Sequence, residues 1–441
     1  MSALRPLLAA VTVGVLALGG GEGALAAVPG EIAELGLGAS ARVYVFGLAT
    51  GADGNIWFAD LGCSGLGRCA LGRIAPTGAL RLFTRGLNAG NVPFEVVLGR
   101  DGDIWFTDEG TRPAIGRVTP GGQIREFSGG LRRGSQPFAL AVGPANTVWF
   151  TDQGRHPAIG RITERGQITE FSRGLGRGSV PFGITTVPGG LAFTDRGCSG
   201  SGRCAIGSVT ATGVIRERTT GLRRGSEPLG MAAGLHGRIW FADGSGAIGQ
   251  ISAAGRITER ALPHGSSPVA VATGPDGAVW FADEGTQPAI GRIGAGGAVR
   301  EFRRGLPAGS EPAQIVAAPD GDMWFTDEGA TAAIGRVTTG APPALLVGPA
   351  ATGAPRVGAP LRCRPPRWEA WAGLVPSSAL LPFDGYRWLR DGLPIPGATS
   401  SVYAVRAADR GRRIACRVTA TYPPPFQTTA VASSPGVIGA G

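Results

Sequence analysis

The sequence contains no lysine. All 42 of its basic residues are arginine, and against 32 acidic residues they leave a net charge of +10. A bias this complete is what a GC-rich genome produces, and alone it assigns no function. The charge would suit acidic glycans, wall polymers or nucleic acid. Nucleic acid finds no further support, because basic and aromatic residues nowhere interleave as they do in a single-strand-binding groove. Histidine is scarce too: His156, His236 and His264 are all there are. Charged residues make up only 17%, while 43% are hydrophobic, enough for a real core and against disorder. After the first two dozen residues no apolar run is long enough to span a bilayer, so no membrane span is expected.

The six cysteines lack the neighbours that zinc requires. Cys63 and Cys69 frame C-S-G-L-G-R-C, Cys198 and Cys204 frame C-S-G-S-G-R-C, and Cys363 and Cys416 stand in the C-terminal region. Five residues between cysteines, with no histidine nearby, fit a metal site poorly. Residues 1–27 read as an export signal: Arg5 opens it, Leu7 to Leu18 is apolar, and Ala24-Leu25-Ala26 is a small-x-small cleavage site. No cysteine follows it to take a lipid anchor. Export makes disulfides the expected state, paired Cys63–Cys69, Cys198–Cys204 and Cys363–Cys416. It also makes a secreted or cell-surface location the expected one.

What the chain has in quantity is glycine, 76 residues with 34 prolines, set in a repeat. Trp57-Phe58-Ala59-Asp60 returns in kind at Trp105, Trp149, Trp240, Trp280 and Trp324. A seventh copy, Ala192-Phe193-Thr194-Asp195, has lost its Trp. Steps between landmarks run from 40 residues (Trp240 to Trp280) to 48 (Trp57 to Trp105). Within the third copy, Pro137 to Gly143, Thr147 to Asp152, Ala158 to Ile162 and Gln167 to Phe171 each read as a strand, with turn residues between. Four strands at this period predict an all-β fold, a seven-bladed β-propeller over residues 28–340. The last copy runs out after Val337 without a fourth strand, and Glu31-Ile32-Ala33-Glu34-Leu35 carries the missing pattern. Pairing the two would close the ring and remove an edge.

The blade order puts one set of loops on the face where first strands begin. These loops repeat as Gly-Leu-x-x-Gly-Ser, and Arg132, Arg133, Arg177, Arg223, Arg224, Arg303 and Arg304 gather there. A basic face is expected, offset partly by Glu109, Glu284 and Glu328. The Asp that recurs in every copy reads as a cap for loop N–H groups, not a catalyst.

Pro-x-x-Ile, D-G-x-x-W-F-T-D, A-I-G-R-I-T and G-x-I-T-E-F together resemble the streptogramin B lyase family over about residues 29 to 340. That resemblance implies a seven-bladed propeller that opens a cyclic depsipeptide antibiotic by elimination with Mg²⁺. The chemistry needs a base beside a carbonyl and a metal for the developing charge. In the family a His follows the Pro that opens the first strands of blades six and seven. Here Val269 and Ala313 stand there, and Phe46 replaces a family Tyr. The seven equivalents, Phe46, Phe94, Phe138, Phe182, Leu229, Val269 and Ala313, form an apolar ring near the channel mouth. Glu311 and Glu328 match family acids, which makes them the candidate catalytic pair and Mg²⁺ ligands. His264 lies in the loop before Pro268, at a position where other copies carry Arg133 or Arg224. His156 reads as a solvated loop residue and His236 as structural.

Ala341 to Pro355 reads as a linker. Over residues 356–441, Cys363, Trp388 and Cys416 are spaced as in a bacterial immunoglobulin-like sandwich, though Ile414 stands where a tyrosine corner would be. The expected function is a secreted binding or interaction module. Its apolar ring, with Arg133, Arg177, Arg224 and His264, would face a small molecule, peptide or acidic glycan. The alternative is a divergent Mg²⁺-dependent carbon–oxygen lyase.

Overall fold

The computed structural model describes residues 29–37, 44–61, 69–75, 78–197, 204–330, 332–341, 345–368, 383–421, 429–434 and 437–438. Seven four-stranded antiparallel sheets follow one another along the chain. The third consists of Pro137–Val142, Val148–Asp152, Ala158–Ile162 and Ile168–Phe171, within a residue of the sequence reading. The first strand of each sheet packs against that of the next, and the seventh packs against the first. The fold is a β-propeller, and each sheet is one blade.

Closure is as the sequence predicts. Blade seven takes Ile32–Gly36 as its fourth strand, with Ile32 opposite Val337 and Gly36 opposite Ala333. Thr338 fastens the joint: the Glu31 amide donates to Thr338 Oγ1 at 3.0 Å, and the Thr338 amide donates to the Glu31 carbonyl at 3.0 Å.

Each letter of the repeat has a packing reason. Trp149 pairs with Arg161 across the middle strands. The Arg161 guanidinium sits 5.6 Å from the indole centre, and Phe171 of the outer strand stacks on the indole at 5.7 Å. The same stack forms on Trp57, Trp105 and Trp280. Phe150 faces Gly160 across the same strands, and a side chain at 160 would run into its ring. Six of the repeated Asp residues cap two amides each. Asp152 Oδ1 accepts from Gln136 N and Gly154 N, both at 2.8 Å, and blades two and four to seven repeat the pattern.

Towards the C terminus the strands form smaller sheets. Ala350–Thr352, Pro360–Arg364 and Val402–Ala404 make one, and Phe383–Arg390, Arg413–Thr421 and Thr429–Ser433 are the long members of another. The Cys363–Cys416 disulfide, with Cα atoms 5.9 Å apart, ties the two sheets together over fully buried Trp388. In place of a tyrosine corner, the Tyr403 hydroxyl and Arg390 both donate to buried Asp409 at 2.7 Å. The segment read as a linker contains Leu345–Val347 and Ala350–Thr352 as strands. Its apolar β-formers outweigh its Pro and Gly content. Residues 1–27 lie outside the described residues, as do Cys63 and Cys198, while Cys69 and Cys204 are themselves disulfide-bonded. Among the described residues no helix is long and apolar enough to cross a membrane.

Candidate functional site

The face of interest is set by strand direction. First strands begin, and second strands end, at the same end of every blade; Val45 lies opposite Asp60, and Pro312 opposite Asp327. Side chains just inside each Pro therefore meet around the channel. Four of them are phenylalanines from consecutive blades. Phe46 stacks on Phe94 at 4.0 Å, Phe94 packs tilted against Phe138 at 4.6 Å, and Phe138 packs tilted against Phe182 at 4.5 Å. Phe182, Leu229 and Val269 continue the ring as one packed cluster, and Ala313 is buried. The structure brings together the apolar ring that the repeat alignment predicts.

Outside the ring the polar groups are not distributed as expected. Arg132 pairs with Glu170 at 3.2 Å, Arg223 with Asp243 and Glu259, each at 3.2 Å, and Arg303 with Glu301 at 2.5 Å. Much of the supposed basic face is thus neutralised by the blades' own acids. Arg133, Arg177, Arg224 and His264 are exposed on the outer loops and make no hydrogen bond or ion pair among the described residues. Nearer the channel, blades five to seven are acidic. Glu227, Glu284 and Glu311 are exposed and Glu328 is half-buried. Exposed Arg196 lies on the opposite arc, 4.7 Å over the Phe182 ring. His156 and His236 are exposed, the latter in a turn with positive φ.

Glu328 is a strongly perturbed acid at the mouth. Burial raises it to about 7, with the charges of Glu284, Glu311 and Asp327 adding to the rise and the Tyr44 hydroxyl opposing it. Tyr44 is raised in turn, chiefly by Glu328. The family resemblance draws attention to Phe46 and away from Tyr44, which stands two residues earlier. Glu328 Oε1 is buried without a donor, which suits a proton-accepting group. For Mg²⁺ the fit is poor. Among the described residues no three carboxylates or imidazoles converge closely enough to hold a metal ion. Glu311 and Glu328 alone would leave most of the octahedron to water, so no metal-assisted step is derived from them.

Below the ring lies a cavity of about 510 Å³, lined by all seven first strands, Phe138 and Phe182 included. Its walls are apolar apart from a few threonines and one pair. Gln314 Nε2 of blade seven donates to Glu95 Oε2 of blade two at 3.0 Å. The other five blades place Gly47, Ala139, Gly183, Gly230 and Ala270 at this position. Neither Glu95 nor Gln314 belongs to a repeated motif, so neither stands out in the sequence. Aligning the seven first strands singles both out as the polar exceptions.

Comparisons with known proteins agree with this architecture. The sequence model of the virginiamycin B lyase family matches residues 31–266 and 205–359. Comparison with curated proteins returns no match. Among solved structures the chain is similar to two extracellular domains from Bacteroides thetaiotaomicron. One, described as belonging to a hybrid two-component system, has a TM-score of 0.53 at 10% identity, covering 92% of this chain and 58% of that one. The other, described as belonging to a one-component system, has a TM-score of 0.54 at 9% identity, covering 92% and 59%. YCF48 bound to a D1 peptide has a TM-score of 0.53 at 14% identity, covering 71% and 96%. At these identities the neighbours speak for the fold alone. The family match spans most of the propeller strands and the motifs that build them: this chain belongs to the virginiamycin B lyase family.

Proposed function

We propose that this member of the family is an exported binding protein that takes a small, largely apolar molecule or peptide side chain at the channel mouth. The Phe46–Phe94–Phe138–Phe182 stack carries the reading: four half-buried aromatic rings over an apolar cavity are a ready hydrophobic seat. Val269 and Ala313 cannot accept a proton, which removes the bases that the family resemblance implies. The acidic arc of blades five to seven disfavours an acidic glycan close to the mouth, and leaves such a partner only the outer Arg133, Arg177 and Arg224. Residues 28–340 would form the binding unit and residues 356–441 an immunoglobulin-like module that spaces it from a surface.

Saturation-transfer NMR with a panel of small amphipathic molecules and short peptides tests this. Binders should be found, and Phe138→Ala should weaken them about tenfold or more. A panel that gives no Phe138-dependent binder contradicts the reading.

One observation favours a second reading, a divergent lyase. Glu328, raised to about 7 beside Tyr44, is tuned as a general base working at neutral pH would be. In that reading Glu328 takes the proton and the Tyr44 hydroxyl faces the developing charge.

A further inference from the structure

The cavity contains one ionisable side chain, and the ring's geometry places it. Glu95 sits in the third position of its strand, Pro93–Leu98, where five of the other six blades have only Gly or Ala. Its neighbour across the channel is Gln314, from the blade on the far side of blade one. Blade one contributes Gly47 between them, and any side chain there would fall 2.6 Å from the Glu95 Cα. The glycine lets the second and seventh blades meet. Glu95 Oε1 accepts the Val96 amide at 3.3 Å, and Oε2 accepts from Gln314. Among the described residues no arginine or histidine lines the cavity. Glu95 is half-buried, so an ionised Glu95 would be partly desolvated and without a counter-charge, a state that costs free energy until a cation arrives.

The rim at the phenylalanine end of the channel has the same preference. Glu227, Glu284, Glu311 and Glu328 give the mouth a negative arc, which attracts cations and repels anions. Phe138 and Phe182 line both the mouth and the cavity. Aromatic faces within about 6 Å of a cation add to its binding. A volume of about 510 Å³ falls inside the range of small-molecule sites.

We infer that the channel is a site for a small organic ammonium ion, its charged head hydrogen-bonded to Glu95 beside Gln314 and its apolar body held by the first strands below the phenylalanine ring. This rests on the binding reading above and names the ligand class. It also assigns Gln314 a role, orienting the Glu95 carboxyl. Burial raises Glu95 to about 8, so at neutral pH the empty site holds a proton that an arriving ammonium displaces.

Isothermal titration of the full chain at pH 7 with n-hexylammonium, 1-hexanol and hexanoate tests the inference. Hexylammonium should bind at least tenfold more tightly than hexanol, and hexanoate should not bind. Glu95→Gln should bring hexylammonium to the level of hexanol, and Phe138→Ala should weaken both. In two buffers of different ionisation heat, wild-type protein should release close to one proton per hexylammonium bound; this readout needs no variant and stands even if Glu95→Gln fails to fold. Equal binding of amine and alcohol, amine preference surviving in Glu95→Gln, or binding without proton release would each overturn the ammonium site. If hexanol still bound and depended on Phe138, the mouth reading would survive that result. If none of the three ligands bound, the ammonium site would fall, and the Phe138 panel would decide the mouth reading separately.

Discussion

Glu34 of the closing strand and Asp327 of blade seven bring two carboxyls into contact, and the contact favours a protonated Glu34. Glu34 Oε1 and Asp327 Oδ2 have no other hydrogen-bond donor. Burial first, and then Asp327, lift Glu34 to about 8. Glu126 beside Asp108, Glu170 beside Asp152 and Glu217 beside Asp195 repeat the contact, each glutamate raised to about 7 by burial first and its aspartate next. Blade five differs. Burial pushes Asp243 up, but hydrogen bonds from Glu227, Ser245 and Arg223 outweigh it and leave Asp243 lowered.

These pairs set the pH dependence of the propeller. Each glutamate has a folded value above its ordinary 4.5. Its contribution is therefore complete below about pH 4.5 and is lost as pH rises through about 7 to 8. Melting temperature should fall between pH 5 and pH 9. After a discount for solvent screening, each pair is worth about 1 kcal/mol. Differential scanning calorimetry across that range checks it, and Glu34→Gln should flatten the slope. A melting temperature that rises over the same interval would contradict the raised values of these glutamates.

Asp152 separates capping from the raising of Glu170. Asp152→Asn keeps an oxygen for the Gln136 and Gly154 amides and offers its own N–H to Glu170. Stability at pH 7 should change little, and blade three's share of the pH dependence should shrink to what burial of Glu170 alone supports. Asp152→Ala leaves two buried amides unpaired and should cost about 2–4 kcal/mol. Urea denaturation of both variants is the check.

Gly160 stands where the repeat leaves no room for a side chain. Gly160→Ala drives a methyl into the Phe150 ring, with no room on either strand, and should cost about 1–3 kcal/mol or more. The same experiment at Gly129, where an added Cβ meets nothing, should leave the denaturation midpoint nearly unchanged.

Reduction should act on the C-terminal sheets. The Cys363–Cys416 bond closes a separation of 53 residues, for which loop-closure entropy gives about 4 kcal/mol. Dithiothreitol should lower a melting transition that Trp388→Phe also lowers. The pH-dependent transition should keep its dependence on the Glu34–Asp327 pair.

Much of the fold is legible because each repeated residue has a partner in the same blade. The loss of Trp in blade four is an example: Ala192 faces Ser208, so the stacking Trp and the Arg that covers it are lost together. Closure is legible because Ile32–Gly36 carries an outer-strand pattern with no blade of its own. The site is less so. Counting arginines predicts a basic face, but Arg132 meets Glu170 and Arg223 meets Glu259, acids 38 and 36 positions away that only the folded blades bring near, while Arg303 meets Glu301 close by in the chain. Tyr44 occupies the position before the first strand that the other blades fill with Val92, Gln136, Val180, Glu227, Ser267 and Glu311, so no recurring residue type marks it. The Glu95–Gln314 bond spans 219 positions and depends on the ring closing. Local sequence carries no trace of that pairing.

The central claim is that this propeller binds at its mouth and does not eliminate. Mass spectrometry of a streptogramin B incubated with the purified protein at pH 7, with and without Mg²⁺ and with Glu328→Gln alongside, addresses it directly. The account predicts intact antibiotic in every arm. Linearised antibiotic with the wild-type protein, lost in Glu328→Gln, would contradict it and make the Glu328–Tyr44 pair the centre of a lyase.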